Sequence, residues 1–447
     1  MKTDNLRRDV SGFSAFIMVI GTIIGSGIFF KPTAVFSATG TAGLGMIAWV
    51  IGGLLALAGG LTVAEIGTLI PETGGMMTYM EKMYGRSVGF IMAWSQMIIF
   101  YPARFAAAAV ICATQACNLL DLGNSHIVPI AIGIFTLVTL INALGNAATD
   151  ALQNTATFLK FVPIVIIILA GFFLNHHPVQ ISLLPVTLSS HPLFSGLSLA
   201  VIATLYATDG WMNVTNIAGE MKNPGRDLPR AIVGGIVLVT FVYLTINFAY
   251  LRVMPATALA ATATPAAAVA FKLFPDFGGK LITVGIMISV FGSLTGFVRA
   301  GWRIPYALAI RDLIPFSAWF ARLNGKTGMP VNSGLFLYVF TVLCMFIGGF
   351  NVLTDIGSFV IWFFYALTFI GVFVLRRKWP DRERVYKVPL YPFVPIAGLF
   401  GGLFVLISTL IVQPYVAAMS IIPVVAGIPV YLYQVRKEST RQIRQAG

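Results

Sequence analysis

The sequence predicts an all-α integral membrane protein with about twelve spanning helices. Three observations carry that expectation. Of 447 residues, 57% are hydrophobic and only 10% are charged, where a soluble globular chain carries roughly 25% charged residues. The apolar residues gather in blocks such as Gly12–Phe36, Thr41–Ile70 and Phe393–Val412, each long enough to cross a hydrocarbon core of about 30 Å. The basic residues fall almost entirely on one side of the resulting pattern.

Taken in order, helices are expected at 12–36, 43–70, 85–119, 127–146, 152–174, 194–219, 229–252, 279–309, 331–350, 353–375, 391–412 and 416–434. The charged start Met1–Asp9 runs straight into a span too long for the apolar region of a signal peptide. With the N-terminus in the cytoplasm, 23 of the 29 Lys and Arg residues fall in cytoplasmic segments or at their helix ends. The positive-inside rule therefore predicts a multi-pass protein of the cell membrane with both termini cytoplasmic. A single miscounted span would scramble this asymmetry.

The net charge of +13 is explained by short loops that set topology and meet anionic lipid, so no nucleic-acid partner is expected. Cys112, Cys117 and Cys344 lie in apolar blocks and form no disulfide framework. His126, His176, His177 and His191 fall in expected loops, so no metal site is assigned and no cofactor is expected. No His-Glu-x-x-His spacing is present, and no serine has an evident base partner. Rings of charge or repeated carbonyl filter motifs, which would signal a channel, are absent. Enzyme and channel readings are set aside.

Two spans carry glycine and polar residues at mid-membrane. The first holds Gly21-Thr22-Ile23-Ile24-Gly25-Ser26-Gly27, the sixth Tyr206-Ala207-Thr208-Asp209-Gly210-Trp211. Glycine weakens a helix by about 1 kcal/mol relative to alanine, and a carboxylate such as Asp209 at depth costs roughly 2.5–3.5 kcal/mol on insertion scales. Small residues also serve plain helix packing, which suffices for Gly21 and for Gly59-Gly60. Interruptions at corresponding places in two halves of a chain instead point to an inverted-repeat transporter. A broken helix offers N–H groups to a carboxylate and C=O groups to an ammonium. A zwitterionic amino acid carries both on one carbon.

These stretches also carry a resemblance. Gly21 to Phe29, Ala64-Glu65-Ile66-Gly67-Thr68-Leu69-Ile70-Pro71-Glu72-Thr73-Gly74-Gly75, Asp209-Gly210-Trp211, Gly219-Glu220-Met221-Lys222-Asn223-Pro224 with Leu228-Pro229-Arg230, and Tyr386-Lys387-Val388-Pro389-Leu390-Tyr391-Pro392 resemble the amino acid–polyamine–organocation (APC) superfamily. Within it the chain is similar to bacterial L-amino-acid transporters (LAT) of the serine/threonine exchanger type. The resemblance implies a LeuT-like fold in a single transmembrane domain over 1–447. Inverted repeats of five helices would span about 12–174 and 194–375, with helices 1 and 6 broken and two more helices at about 391–434.

It also implies a site. Backbone around Gly25, Ser26 and Gly27 would take the substrate carboxylate, and carbonyls near Ile23, Tyr206 and Asp209, beside Gly210, the amino group. Tyr206 would be an aromatic gate, and Phe297 would line the pocket from the eighth helix. Lys160 would bond the unwound first helix where sodium-coupled relatives hold a cation. Arg104, in Tyr101-Pro102-Ala103-Arg104-Phe105, departs from the expected pattern, which has a small or neutral residue there. Either it pairs structurally with Asp209 or a carbonyl, or it faces the pocket and repels cationic substrates; Ala103 and Ala106 leave room beside it.

The implied activity is sodium-independent exchange of small neutral L-amino acids such as serine, threonine and alanine, with the lipid bilayer as surroundings. Antiport of a basic amino acid or polyamine, and proton-coupled symport through Lys160, stay open as alternatives. The loop Asp121–His126 holds no cysteine, so no disulfide-linked accessory subunit is expected.

Overall fold

The computed structural model describes residues 10–72, 75–145, 155–156, 158–175, 178–181, 192–275 and 277–446, with side chains to 437. Of the residues named above, Met1–Asp9, Thr73, Gly74, His176, His177 and His191 lie outside the described residues, as does part of the expected span 152–174.

The described residues are almost wholly helical. Ser11 starts α1 (Gly12–Ile23) by accepting the Ser14 N–H at 3.1 Å, a standard hydroxyl cap. After Ile24-Gly25-Ser26 the chain resumes as α2 (Gly27–Thr39), bent by 46° from α1. Gly40, at φ +68°, ends α2 in the left-handed region that favours glycine. Thr41 then caps α3 (Ala42–Leu69). α4 (Gly75–Tyr84) is a short helix in a stretch expected to be loop.

α5 (Arg86–Leu119) contains one π turn at Gln96–Phe100, directly before Tyr101-Pro102. Proline has no N–H to give to the preceding turn, and a local slip in register is one way a helix absorbs this. There follow α6 (Ile127–Ala143), α7 (Phe161–Leu174), which ends in a second π turn, and α8 (Leu193–Ala207). Beyond a turn at 208–210 the chain continues as a 3-10 helix, Trp211–Glu220.

α9 (Pro224–Val253) leads to two short helices, α10 (Ala256–Ala260) and α11 (Pro265–Leu273), in another stretch expected to be loop. The rest is α12 (Phe277–Ala309), the single turn α13 (Ser317–Phe320), α14 (Val331–Cys344), α15 (Phe350–Lys378), α16 (Phe393–Val412), α17 (Pro414–Val425) and α18 (Gly427–Ala446). Asp355 lies inside α15 and accepts from Gln413 Nε2 at 3.2 Å.

Among the described residues nine helical segments are long and apolar enough to cross a membrane, or ten when α1 and α2 count as one broken span. Two further apolar helices, Phe161–Leu174 and Val331–Cys344, are shorter. This is a many-helix, multi-pass membrane protein.

The chain divides into two compact units. One comprises 1–83, 159–289 and 362–412; the other comprises 84–158, 290–361 and 413–447. The first unit is built around close helix contacts at small residues. A Cβ on Gly52 would stand 2.3 Å from Thr204 Oγ1, and one on Gly60 2.5 Å from Ile236 Cδ1. In the second unit, α12 packs on α5, where a Cβ on Gly301 would meet Phe105 Cζ at 2.6 Å. Small residues let helix backbones approach where lipid gives no hydrophobic drive to associate.

Candidate functional site

Within the first unit the two glycine-bearing interruptions lie against each other. A Cβ on Gly27 would stand 2.6 Å from Ala207 Cα, and one on Gly210 2.5 Å from Thr22 O. Gly210 also has φ +125°, a conformation open to glycine at little cost. Thr22 Oγ1 contacts Gly210 O at 3.1 Å, along with Met18 O and Val19 O in its own helix. Gly27 and Gly210 are therefore required by the mutual approach of two backbones.

The break exposes both kinds of helix end. Phe29 and Phe30 N–H return to Ser26 O at 3.1 and 3.2 Å, so the N–H groups of Gly27 and Ile28 stand at the open N-terminal end of α2. On the other side, α1 ends with its last carbonyls outside any helical ladder. Two side chains meet those carbonyls. Lys160 Nζ donates to Gly21 O at 2.5 Å, with Lys160 only 2% exposed. Tyr243, from α9, has its hydroxyl 3.2 Å from Ile23 O and 3.0 Å from Ala207 O. One hydroxyl thus touches a freed carbonyl from each interruption. A carbonyl accepts two hydrogen bonds, so Ile23 O keeps capacity for a second donor.

Tyr206 is 7% exposed, and its hydroxyl lies 3.4 Å from Ser26 Oγ. Asp209, 5% exposed, accepts from the Tyr365 hydroxyl at 2.6 Å through Oδ1. The Tyr365 ring packs on Trp211 with centroids 5.1 Å apart. Ile23, Gly25, Ser26, Gly27, Lys160, Tyr206, Asp209 and Gly210 are thus gathered in one unit.

The other three candidate residues belong to the second unit. Ala103 is fully buried in α5. The Arg104 guanidinium carbon lies 4.4 Å from the Phe297 ring centroid and 5.7 Å from that of Phe100. These are cation–π distances, and they give Arg104 aromatic neighbours that its sequence position did not suggest.

Tyr243 and Tyr365 were missed by sequence reasoning. Each is a tyrosine in an apolar span, which reads as packing. Only their partners reveal a polar task, and those partners lie 36 to 220 positions away in the chain.

Away from the break, Glu65 at the end of α3 is 3% exposed in its side chain. It receives Arg376 in a bidentate pair at 2.9 and 2.7 Å and the Val388 N–H at 2.8 Å, and Arg384 Nε lies 3.4 Å away. Burial first, and then the Glu65 carboxylate, push the nearby Tyr386 phenol up to about 12. No cluster of three or more His, Cys, Asp or Glu residues that could hold a metal occurs among the described residues.

A family model described as amino acid permease matches residues 10–431. The serine/threonine exchanger SteT of Bacillus subtilis is 39% identical over 431 residues, covering 96% of this chain and 97% of that protein. The mouse b(0,+)-type amino acid transporter 1 is 31% identical over 93% of this chain and 85% of its own length. The human cystine/glutamate transporter is 29% identical over 95% and 85%.

Proposed function

The chain belongs to the amino acid permease family, and from that premise we propose that it exchanges small neutral L-amino acids such as serine, threonine and alanine across the cell membrane, without sodium. The observation that carries the proposal is the pair of interruptions at 24–26 and 208–210, held together by Tyr243 on Ile23 O and Ala207 O. The open N-terminal end of α2, at Ser26 and Gly27, takes the substrate carboxylate; freed carbonyls near Ile23, Tyr206 and Asp209 take the ammonium. Tyr206 closes over the bound molecule. Similarity to a serine/threonine exchanger along almost the whole chain supports the substrate class.

Lys160 stands in for a coupling ion. A fixed ammonium on Gly21 O neutralises the negative end of α1, the task a bound sodium would otherwise perform. Antiport of basic amino acids would need a carboxylate for the distal charge. Asp209 already receives a short hydrogen bond from Tyr365, which favours the neutral reading.

The same reading arranges twelve spans as two inverted repeats, about 12–174 and 194–375, followed by two helices, with both termini cytoplasmic. The two shorter apolar helices occupy the fifth and ninth places of that count. Each compact unit also draws matching segments from both halves, 1–83 and 159–289 in one, 84–158 and 290–361 in the other. Both facts support the arrangement.

The test is radiolabelled serine uptake into proteoliposomes, preloaded with serine or empty, at two pH values and with sodium replaced. Exchange predicts uptake only into preloaded vesicles and no sodium requirement, with Lys160→Ala abolishing it. Uptake into empty vesicles driven by an acid outside would establish proton symport instead. Normal exchange by Lys160→Ala would remove the role given to that lysine.

A further inference from the structure

The turn at 208–210 is held at neighbouring residues by three different helices. Tyr243 of α9 has its hydroxyl 3.0 Å from Ala207 O, Tyr365 of α15 donates to Asp209 Oδ1 at 2.6 Å, and Thr22 Oγ1 of α1 lies 3.1 Å from Gly210 O. The middle contact involves a carboxylate, and it is short, as hydrogen bonds to carboxylates are.

Packing fixes where the Tyr365 phenol stands. The residue is 2% exposed, and its ring lies against Trp211 and Trp362 with centroids 5.1 and 5.4 Å apart. Phe369, one turn further along α15, closes the group against α3. There a Cβ on Gly59 would stand 2.9 Å from Phe369 Cζ and 3.2 Å from Trp211 Cζ2. A tyrosine so enclosed presents a fixed ring and one hydrogen-bonding tip.

The aromatic contacts already pack α15 onto this stretch, and a carboxylate within a span is costly. The Asp209–Tyr365 pair therefore adds something that packing does not supply. Gly210, at φ +125°, sets little limit of its own on the backbone. A short aspartate side chain anchored at its tip restricts the peptide directly before that glycine. In the exchange reading, carbonyls of this same stretch take the substrate ammonium.

We propose that Tyr365 is a positioning residue that anchors the Asp209 side chain, fixes the carbonyls of the second interruption, and so sets the selection for an unsubstituted substrate ammonium. This deepens the exchange reading above and rests on it. Tyr365 acts through Asp209; the backbone carbonyls remain the direct ligands.

The experiment compares L-serine, N-methyl-L-serine and L-serinamide as competitors of labelled serine exchange in proteoliposomes. N-methyl-L-serine gives up one ammonium N–H, and serinamide keeps the ammonium and lacks the carboxylate. Wild type is expected to favour serine over both. In Tyr365→Phe, which keeps the ring, the preference for serine over N-methyl-L-serine is expected to fall about fivefold or more, the scale of one hydrogen bond to a charged group. The preference for serine over serinamide is expected to hold within about twofold, because both carry the same ammonium and lose the same grip.

An unchanged preference over N-methyl-L-serine, with only maximal rate or stability reduced, would make Tyr365 a packing residue and overturn the proposal. An equal fall in both preferences would mean general loosening of the site and also overturn it. If Tyr365→Phe does not accumulate in the membrane, Asp209→Asn, which offers the phenol a weaker acceptor, carries the same expectation. Wild type that fails to exchange serine, or that takes N-methyl-L-serine equally well, defeats the functional reading. Wild type that discriminates, with preferences unmoved in the variant, defeats only this inference.

Discussion

Tyr243 shows how much a single hydroxyl does at the break. It is 1% exposed and stands within hydrogen-bond reach of Ile23 O and Ala207 O, while the Trp49 ring meets it edge-on at 5.6 Å. Its single O–H proton is shared between the two, so removing the hydroxyl leaves a buried carbonyl short of a donor, and an unmet buried polar group costs about 1–3 kcal/mol. Tyr243→Phe is therefore expected to lower the unfolding temperature of the detergent-solubilised protein and to slow exchange. Unchanged values for both would mean that the two carbonyls are satisfied without it.

The residues at this scale were unequally legible. Gly25, Ser26, Gly27, Asp209 and Gly210 stand out because glycine and charge are expensive inside an apolar span. Lys160 stands out for the same reason. Tyr243 and Tyr365 do not, because tyrosine is at home in apolar packing and only a partner distant in sequence exposes its polar end.

At the scale of elements, the ends of α3 and α15 are joined by one buried carboxylate. Glu65 holds Arg376 through two hydrogen bonds and also meets the Val388 N–H and Arg384. The segment from 379 to 390 is tied to both helices through this residue. Breaking a fully buried ion pair costs about 3–5 kcal/mol, and the cost here falls at or below that range because a quarter of the Arg376 side chain is exposed. Glu65→Gln is expected to destabilise the purified protein by an amount of that order, measured by thermal unfolding, with Glu65→Asp intermediate. A neutral effect would show that the arginines find other partners.

Element boundaries followed the apolar blocks well, since a helix must satisfy its own backbone in lipid. The short helices were not foreseen. α10 and α11 are alanine-rich pieces of 5 and 9 residues between prolines and threonines, too short to show a period. α4 lies in the gap between two apolar blocks, and its ten residues, Glu81 and Lys82 among them, are too few and too polar to read as a span.

For the whole molecule, the distribution of basic residues predicts orientation. Lys326 and Asn124 are exposed, and Cys112, Cys117 and Cys344 are buried, so an introduced surface cysteine should dominate labelling by a membrane-impermeant maleimide. Lys326→Cys is expected to react only from the cytoplasmic face and Asn124→Cys only from the opposite face. The reverse pattern would invert the topology. Overall helical, membrane-spanning character was plain from composition. The division into two units was not, because each unit is assembled from segments far apart in the chain.

The proposed exchange depends on two interruptions that would present N–H groups to a carboxylate and C=O groups to an ammonium. The most direct measurement is ligand-induced stabilisation of the solubilised protein by serine, by ethanolamine, which lacks the carboxylate, and by 3-hydroxypropionate, which lacks the amine. A ligand that binds the native state raises the unfolding temperature by an amount that grows with the logarithm of its concentration relative to its Kd. Serine is predicted to raise it and neither analogue to do so at equal concentration. Stabilisation by either analogue equal to that of serine would contradict the two-ended grip.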